Sequence, residues 1–361
     1  NGRLVFAPEM KAVLQDAGFA RRIDTTALAQ FMRFQQVLGE RTYFEDLRLL
    51  PPGSRLVCDL DTGSFTLSAY WSFADVPERP DVTFGEAVEE GGRLLRAAVR
   101  RLGAGTLRPG VFLSGGLDSR VILGMLDRGQ TPSFTLGARH SRDVLYAAQI
   151  ARACNSRHHG FDLPDGRQVL AQVDQHLTLT EGYHSWLHSH GLHVLPSARP
   201  LMDVLLTGWD GGAVLGDSDT IEPLQQNAVD DAALTVHLFG RFNQDFTWPG
   251  MTEAEERLLY ARPFWPRVRG LAFDSFREEL KPYLGLRPDV RTGYFYIRQH
   301  CGRLTQNAVA LDRSHIEVRF PFFDYALFDF LFSLPVRLRA GKALYRAILE
   351  RETPRLARIP Y

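Results

Sequence analysis

The sequence predicts an α/β protein whose main domain is a doubly wound parallel sheet. From Gly110 onward, short and nearly continuous apolar runs alternate with amphipathic runs of helical length, the pattern of a parallel sheet covered by helices on both faces. The loop 114–119 directly follows the first apolar run, at the sheet edge where ligands bind in such folds. Residues 1–75 instead combine short helical patterns with a hairpin, which indicates a separate module.

Residues 1–75 are predicted to form a partial α+β module. Asp61-Thr62-Gly63 has the composition of a tight turn and lies between two segments rich in apolar residues, which is typical of a hairpin. The first of two amphipathic stretches ends at Gly18, a residue type common after helices. In chain order the predicted elements are a strand at 1–7, helices at 8–18 and 25–35, and the hairpin at 54–71.

The boundary between two domains is predicted at residues 73–81, which combine two prolines with several charges. The predicted domains are therefore 1–75 and 76–361. A long helix is predicted at 83–101, because Thr83 and Glu86 have the spacing of a capping box and arginines fill its C-terminal half.

The strand and helix patterns of the second domain have the lengths that a parallel sheet requires. Each apolar run fits one strand, and each amphipathic run fits a helix that crosses back over the sheet. The predicted strands are 110–113, 133–138, 157–163 and 202–206, and the predicted helices include 118–129, 142–154, 254–260 and 275–282.

The composition restricts the class of protein. The 361 residues contain 42 Lys and Arg against 42 Asp and Glu, which argues against nucleic acid or an anionic membrane as the main partner. Cys58, Cys154 and Cys301 are far apart and odd in number, which favours reduced thiols over a disulfide framework. Because the sequence has no apolar run long enough to span a membrane, a globular cytoplasmic protein is expected.

The loop 114–119, Ser-Gly-Gly-Leu-Asp-Ser, has the composition of an anion site. Two adjacent glycines let backbone N–H groups approach an anion, and the following helix adds unpaired N–H groups and the positive end of its dipole. Ser114 and Ser119 add hydroxyl donors. Asp118 would repel an anion unless a cation lies between them, so the pattern predicts Mg²⁺ shared by Asp118 and a polyphosphate. The alternative is an ordinary glycine-rich turn.

This loop resembles the pyrophosphate loop of the N-type ATP pyrophosphatases, which cleave ATP to AMP and pyrophosphate. The surrounding chain resembles the asparagine synthetase family, including its β-lactam synthetase and lasso-peptide cyclase members. The resemblance implies a sheet of the adenine nucleotide α-hydrolase (PP-loop) type and a catalytic role for Asp118. Asp143 resembles an acidic residue common in the family, or is a helix N-cap. The implied ATP-binding residues are Leu113, Ser114, Gly115, Gly116, Asp118, Ser119, Leu136 and Gly208.

The segment after strand 202–206 resembles a family block, T-G-x-G-x-D-x-x-x-G, whose aspartate is the second Mg²⁺ ligand. Gly212 stands at that aspartate position, so the ligand is either lost or replaced by Asp210, the predicted substitute in the same pliable loop. Trp209 stands where asparagine synthetases have a glutamate and β-lactam synthetases a tyrosine. Since an indole does not transfer a proton in this way, plain asparagine synthesis is less expected than ATP binding.

Two further blocks resemble parts of the family. Residues 1–71 resemble the closing part of its glutaminase-like (Ntn-type) domain, whose nucleophile is an N-terminal cysteine, whereas this chain begins with Asn1. Glutamine hydrolysis is therefore not predicted, and the chain is expected to be part of a longer protein or to keep the module as a scaffold. Near the C-terminus, Glu317, Arg319, Pro321, Phe322 and Asp324 match the block G-V-E-x-R-x-P-F-L-D.

Two candidate sites keep alternatives open. Lys342 lies in a segment that resembles the block K-x-x-L-R, and is either a catalytic cation that stabilises pyrophosphate charge or a helix-surface lysine. His184 and His188 have the spacing of ligands on one helix face, and are either metal ligands, lining of a substrate cleft or ordinary helix surface.

The predicted function is an ATP- and Mg²⁺-dependent ligase that activates a carboxylate as an acyl-adenylate and transfers it to an amine. The expected partners are a small-molecule or peptide carboxylate and, at the protein level, a second copy of the chain or an accessory biosynthetic protein. The alternatives are an intramolecular amide-forming cyclase and a nucleotide-binding scaffold without catalysis. Arg120, where asparagine synthetases usually have a small residue, favours a divergent member.

Overall fold

The computed structural model describes residues 4–126, 128–163, 167–185, 191–216, 230–244 and 250–361. The chain divides into two compact units, Asn1–Val76 with Gln226–Leu304 and Pro77–Gln225 with Thr305–Tyr361. The division into domains 1–75 and 76–361 stays a prediction, and the structure groups segment Gln226–Leu304 with the N-terminal residues.

Strands and helices alternate over residues 109–162, and most of the remaining described chain is helical. The strands are β1 Ser54–Cys58, β2 Phe65–Ala69, β3 Pro109–Phe112, β4 Pro132–Gly137, β5 Arg157–Asp162, β6 Val204–Leu206 and β7 Glu317–Arg319. The α-helices are α1 Met10–Val13, α2 Thr25–Phe34, α3 Phe84–Leu102, α4 Leu117–Leu126, α5 Arg142–Ala153, α6 Arg167–Ala171, α7 Val173–Thr180, α8 Leu195–Ala198, α9 Gly211–Leu215, α10 Asp231–Gln244, α11 Glu253–Leu259, α12 Trp265–Val268, α13 Leu271–Leu284, α14 Pro288–Tyr296, α15 Val309–Arg313, α16 Tyr325–Ser333, α17 Val336–Arg339, α18 Ala343–Glu352 and α19 Pro354–Ala357. Short 3₁₀ turns lie at Phe73–Asp75, Thr305–Ala308, Pro321–Phe323 and Ala340–Lys342, and a π-helical turn lies at Ile297–Cys301.

The second unit is built on a five-stranded parallel sheet with the order β5-β4-β3-β6-β7. The chain winds outward from β3 to β5 and then crosses to the other side for β6 and β7. The topological switch therefore lies between β3 and β6, which pair through Pro109 with Val204 and Gly110 with Leu205. The α/β prediction is confirmed, and the carboxyl ends of these two strands open into one crevice.

The sheet is held by an apolar cluster on one face, and this cluster also forms part of the crevice. Phe134 of β4 and Leu205 of β6 are buried against Leu192, Leu311 and Ile316. Because the central strands are buried on both faces, their residues read as nearly continuous apolar runs, which is why the sequence pattern predicted them.

Helix α3 begins where its capping box predicts. The Thr83 side chain accepts a hydrogen bond from the Glu86 N–H, and the Glu86 carboxylate accepts one from the Thr83 N–H. The helix spans Phe84–Leu102, which confirms the prediction at 83–101.

The first unit supports the predicted N-terminal module in part. The hairpin is confirmed, with β1 and β2 antiparallel and Ser54 opposite Ala69. Helix α2 is also confirmed, and the Asp24 carboxylate caps it by accepting from the N–H groups of Thr26 and Ala27.

Two predicted elements differ from the structure, and one observed strand was not predicted. Residues 4–7, the described part of the predicted strand 1–7, are not in a strand, and the predicted helix 8–18 is limited to Met10–Val13. Strand β7 was not predicted, because its three residues are too few to show a periodicity. Among the helices of the described residues, none has both the length and the apolar composition that crossing a bilayer requires.

Candidate functional site

A cavity of about 450 Å³ lies in the second unit at the carboxyl ends of β3, β4 and β6. It therefore occupies the switch point of the sheet, where open α/β folds bind ligands. Its polar lining comes from Ser114, Asp118, Ser119, Asp143, His184, Thr207, Gly208, Trp209, Asp210 and Asp312, and its apolar lining includes Phe112, Leu113, Phe134, Leu136, Leu192, Leu205, Ala308 and Leu311.

The loop 114–119 is closed by its own serine hydroxyls. The backbone N–H of Ser114 donates to Ser119 Oγ at 3.2 Å, and the N–H of Gly116 donates to Ser114 Oγ at 3.3 Å. Gly115 has a φ of +77°, and a Cβ there would lie 3.1 Å from backbone atoms of Asp143. The first glycine of the loop is thus required both by its conformation and by the close approach of helix α5.

A buried arginine anchors this loop from behind. The Arg120 guanidinium donates to the carbonyl oxygens of Gly115 at 2.6 Å and Gly116 at 3.0 Å. Since a trans peptide directs its C=O and N–H in opposite directions, these bonds turn the N–H groups of Gly116 and Leu117 away from Arg120. Arg120 thus sets the direction of two backbone donors at the start of α4.

The same guanidinium also contacts the C-terminal residues of the chain. It donates to the carbonyl oxygens of Leu356 at 3.1 Å, Ile359 at 2.6 Å and Pro360 at 2.8 Å. Burial lowers the pKa of Arg120 from its ordinary value, but a guanidinium stays protonated in proteins, and the carbonyl oxygens compensate its charge. From the sequence, Arg120 is distinguished only as a departure from the asparagine synthetases, because its carbonyl partners near the C-terminus lie more than 200 residues away.

Asp118, predicted to be catalytic and to bind the metal, lies in the first turn of α4 with its carboxylate in the cavity lining. Its Oδ1 accepts a hydrogen bond of 2.6 Å from the Tyr345 hydroxyl. A Cβ on Gly208 would lie 2.9 Å from Asp118 Cβ, and one on Gly211 would lie 2.7 Å from Oδ1. These glycines let the loop after β6 pack directly against Asp118. The sequence does not indicate that Tyr345 belongs to the site, because 227 positions separate it from Asp118.

Asp210, the predicted replacement for the aspartate missing at Gly212, lines the same cavity as Asp118. It precedes α9 with a left-handed φ of 59°, and its two carboxylate oxygens accept from Thr305 Oγ1 at 3.1 and 3.0 Å. Within the described residues there is no group of three or more His, Cys, Asp or Glu that could hold a metal ion. Two carboxylates on one cavity nevertheless fit Mg²⁺, which proteins commonly hold through one or two carboxylates plus substrate phosphates and waters.

The other predicted site residues are divided between the cavity and its surroundings. Leu113 and Leu136 line the cavity, whereas Gly115 and Gly116 belong to the loop without lining it. Lys342 precedes α18 with a φ of 65° and is not among the lining residues. The interpretation of Asp143 as an N-cap is wrong, because the cap of α5 is Ser141, whose Oγ accepts from the Val144 N–H. Asp143 lies in the first turn and lines the cavity.

The predicted histidine helix is wrong in its described part, because residues 183–185 are not helical. His184 lines the cavity and stacks on His176 with ring centroids 5.5 Å apart. His188, the second predicted ligand, lies outside the described residues. The position of His184 fits cleft lining, one of the three alternatives.

Comparison with known proteins gives matches to two family models, one over the N-terminal residues and one over the central part of the chain. The family model Asparagine synthase matches residues 90–208, and the family model Glutamine amidotransferase domain matches residues 1–71. The first of these spans β3 to β6 and includes the loop 114–119, and it ends at Gly208, before Asp210.

Two curated relatives are similar to this chain. The putative asparagine synthetase (glutamine-hydrolyzing) 2 of Methanocaldococcus jannaschii is 23% identical over 224 residues, which cover 60% of this chain and 43% of that protein. The asparagine synthetase (glutamine-hydrolyzing) 2 of Bacillus subtilis is 22% identical over 392 residues, which cover 96% of this chain and 48% of that protein. The chain thus spans about half the length of the curated relatives it matches.

Proposed function

Because this chain belongs to the asparagine synthetase family, we propose that it is an ATP-dependent ligase that forms an amide bond. In the proposed reaction a substrate carboxylate attacks the α-phosphate of ATP, which gives an acyl-adenylate and pyrophosphate. An amine then attacks the acyl carbon and AMP leaves. The substrates are proposed to be a small-molecule or peptide carboxylate and an amine.

One observation carries this proposal: the glycine-rich loop and two aspartates line a single cavity at the switch point. The loop contributes Ser114 and Ser119, and the carboxylates are those of Asp118 and Asp210. Hydroxyl and N–H donors suit phosphate oxygens, and carboxylates suit a divalent cation that neutralises those oxygens. The apolar lining, which includes Leu113 and Leu136, suits the flat face of adenine.

The residues of the loop would act by position and by charge. Arg120 fixes the loop carbonyls, so the N–H groups of Gly116 and Leu117 are directed before a nucleotide binds. Donors oriented in advance stabilise the charge that builds on a leaving pyrophosphate without reorganising during the reaction. Asp118 and Asp210 would hold Mg²⁺, which when bound would offset the same negative charge.

A second candidate function is nucleotide binding without catalysis. It is favoured by Gly212, which replaces an acidic residue of the family block. An intramolecular cyclase is the third candidate, and differs from the first only in carrying carboxylate and amine on one molecule.

The test is a calorimetric titration of Mg-ATP into the wild-type protein, Asp118→Asn and the exposed control Asp174→Asn. We expect the wild type and Asp174→Asn to bind Mg-ATP with the same affinity. Asp118→Asn should bind Mg-ATP at least about tenfold more weakly, because it loses one charged contact. Equal binding by Asp118→Asn, or no binding by the wild type, contradicts the proposal. Release of AMP with mixed carboxylates and amines supports the ligase, whereas binding without AMP release supports the scaffold.

A further inference from the structure

The cavity contains a carboxyl group that the proposed ATP site does not use. Asp312 lines the cavity from α15, immediately after Leu311. Leu311 belongs to the apolar cluster of the sheet, together with Phe134, Leu192 and Leu205, which line the same cavity. Asp312 therefore directly follows a residue of the apolar lining, which none of the other lining aspartates does.

The Asp312 carboxyl differs from those of Asp118 and Asp210 in having no partner among the residues that the structure describes, and from Asp143, the fourth aspartate of the lining, in not being exposed. Asp118 accepts from Tyr345 and Asp210 accepts from Thr305. The half-buried side chain of Asp312 makes no hydrogen bond or ion pair with a described residue, although its backbone carbonyl is fixed by the N–H groups of His315 and Ile316. Burial alone raises the pKa of Asp312 to about 7.

An uncompensated carboxyl at the edge of an apolar lining is costly for the folded protein. Such a group is paired in most structures, and an unpaired one in a cleft is a candidate for binding a ligand. A ligand that compensates it must bring a positive charge or hydrogen-bond donors, and a ligand that fills the neighbouring lining must bring hydrocarbon.

We propose that Asp312 binds the ammonium group of the amine substrate, while Leu192, Leu205 and Leu311 bind an apolar substituent of that amine. The proposal rests on the proposed ligase function, because a ligase of this kind needs a second, nucleophilic substrate. It names the class of that substrate: an organic amine with a hydrocarbon chain or ring, in place of free ammonia. The ammonium would need to give one proton to a base before attack, and the Asp312 carboxylate is placed to accept it.

The proposal is tested with simple amines, because the natural substrate is unidentified. The probes are n-hexylamine, methylamine and 1-hexanol, titrated at about pH 8 and followed by saturation-transfer NMR. At this pH an alkylamine is protonated and the Asp312 carboxyl is largely ionised. We expect hexylamine to bind at least about tenfold more tightly than methylamine because of its buried methylenes, and more tightly than 1-hexanol because of its charge.

Two variants identify the group that binds the charge. In Asp312→Asn, which keeps the size of the side chain, hexylamine should bind about tenfold more weakly while 1-hexanol binding is unchanged. The exposed control Asp174→Asn should behave as the wild type. Retained 1-hexanol binding also shows that the cavity of the Asn variant is folded. The comparison of hexylamine with 1-hexanol in the wild type shows whether a charge is bound at all, and the Asn variant shows whether Asp312 binds it.

The outcomes separate this inference from the proposed function. Equal binding of hexylamine and 1-hexanol, or full hexylamine affinity in Asp312→Asn, overturns the role of Asp312. If Mg-ATP binds to the same preparation in that case, the ligase proposal stands. Amine binding in a protein that does not bind Mg-ATP refutes the ligase and with it the assignment of the amine as a substrate.

Discussion

Replacing Arg120 by lysine is expected both to loosen the loop 114–119 and to weaken Mg-ATP binding. The guanidinium donates to five carbonyl oxygens, two on the loop and three among the C-terminal residues. A lysine ammonium has three donors, so at least two of the five contacts are lost. At about 1 kcal/mol net per hydrogen bond, the local opening free energy of the loop falls by about 2 kcal/mol.

This energy corresponds to a fall of about 30-fold in amide exchange protection at Gly116 and Leu117, which hydrogen exchange with mass spectrometry measures. Mg-ATP affinity should fall by about tenfold, because these N–H groups lose their fixed direction. The control is Arg152→Lys, an exposed arginine of α5 in the same unit. If Arg120→Lys lowers protection but leaves Mg-ATP affinity at the wild-type value, Arg120 is structural only. If neither the protection nor the affinity changes, Arg120 does not anchor the loop.

Three further substitutions test the surroundings of Asp118 and Asp312. Tyr345→Phe removes the donor that orients Asp118 and should weaken Mg-ATP binding by about tenfold in the titration; an unchanged affinity contradicts the orienting role. Gly211→Ala should lower both the melting temperature and Mg-ATP affinity because its Cβ would lie 2.7 Å from Asp118 Oδ1, whereas Gly85→Ala, whose Cβ meets nothing within 4 Å, should lower neither. Burial raises the pKa of Asp312 from 3.8 to about 7, so the folded state holds the extra proton and the free energy of unfolding should decline as pH rises through this window. Asp312→Asn should flatten the decline, and an identical slope in thermal unfolding would contradict the assignment.

The sequence was sufficient for the central strands because burial on both faces leaves an unbroken apolar run. Strands β3 and β4 show this signal directly, and the loop between β3 and α4 was found by its glycines and hydroxyls. Strand β7 was not found, because Glu317–Arg319 is too short for a periodicity and is placed by pairing with β6, more than 100 residues earlier. Around His184 the sequence had a pattern but the described residues form no helix. A four-residue spacing of two histidines alone does not form a helix.

The candidate site was predicted where its residues are adjacent in sequence and missed where they are not. Ser114, Asp118 and Asp210 belong to loops with a recognisable composition, and the structure places all three on one cavity. Tyr345 contacts Asp118 from α18, and Asp312 enters from α15. Neither residue type is unusual in its own segment, so only the tertiary fold gives these two residues a place in the site.

The hydrogen bonds inside the loop bear on how an anion would bind there. The N–H groups of Ser114 and Gly116 already donate to serine hydroxyls, at 3.2 and 3.3 Å, so a phosphate would replace these contacts and would not fill empty donors. Bonds of that length between neutral groups are weak, whereas bonds to a phosphate oxygen are charge-assisted and about twice as strong. The net gain therefore comes from charge more than from the number of bonds. The carboxylates of Asp118 and Asp210 line the same cavity and would repel a bound phosphate. Nucleotide affinity should therefore depend on a divalent cation that neutralises them.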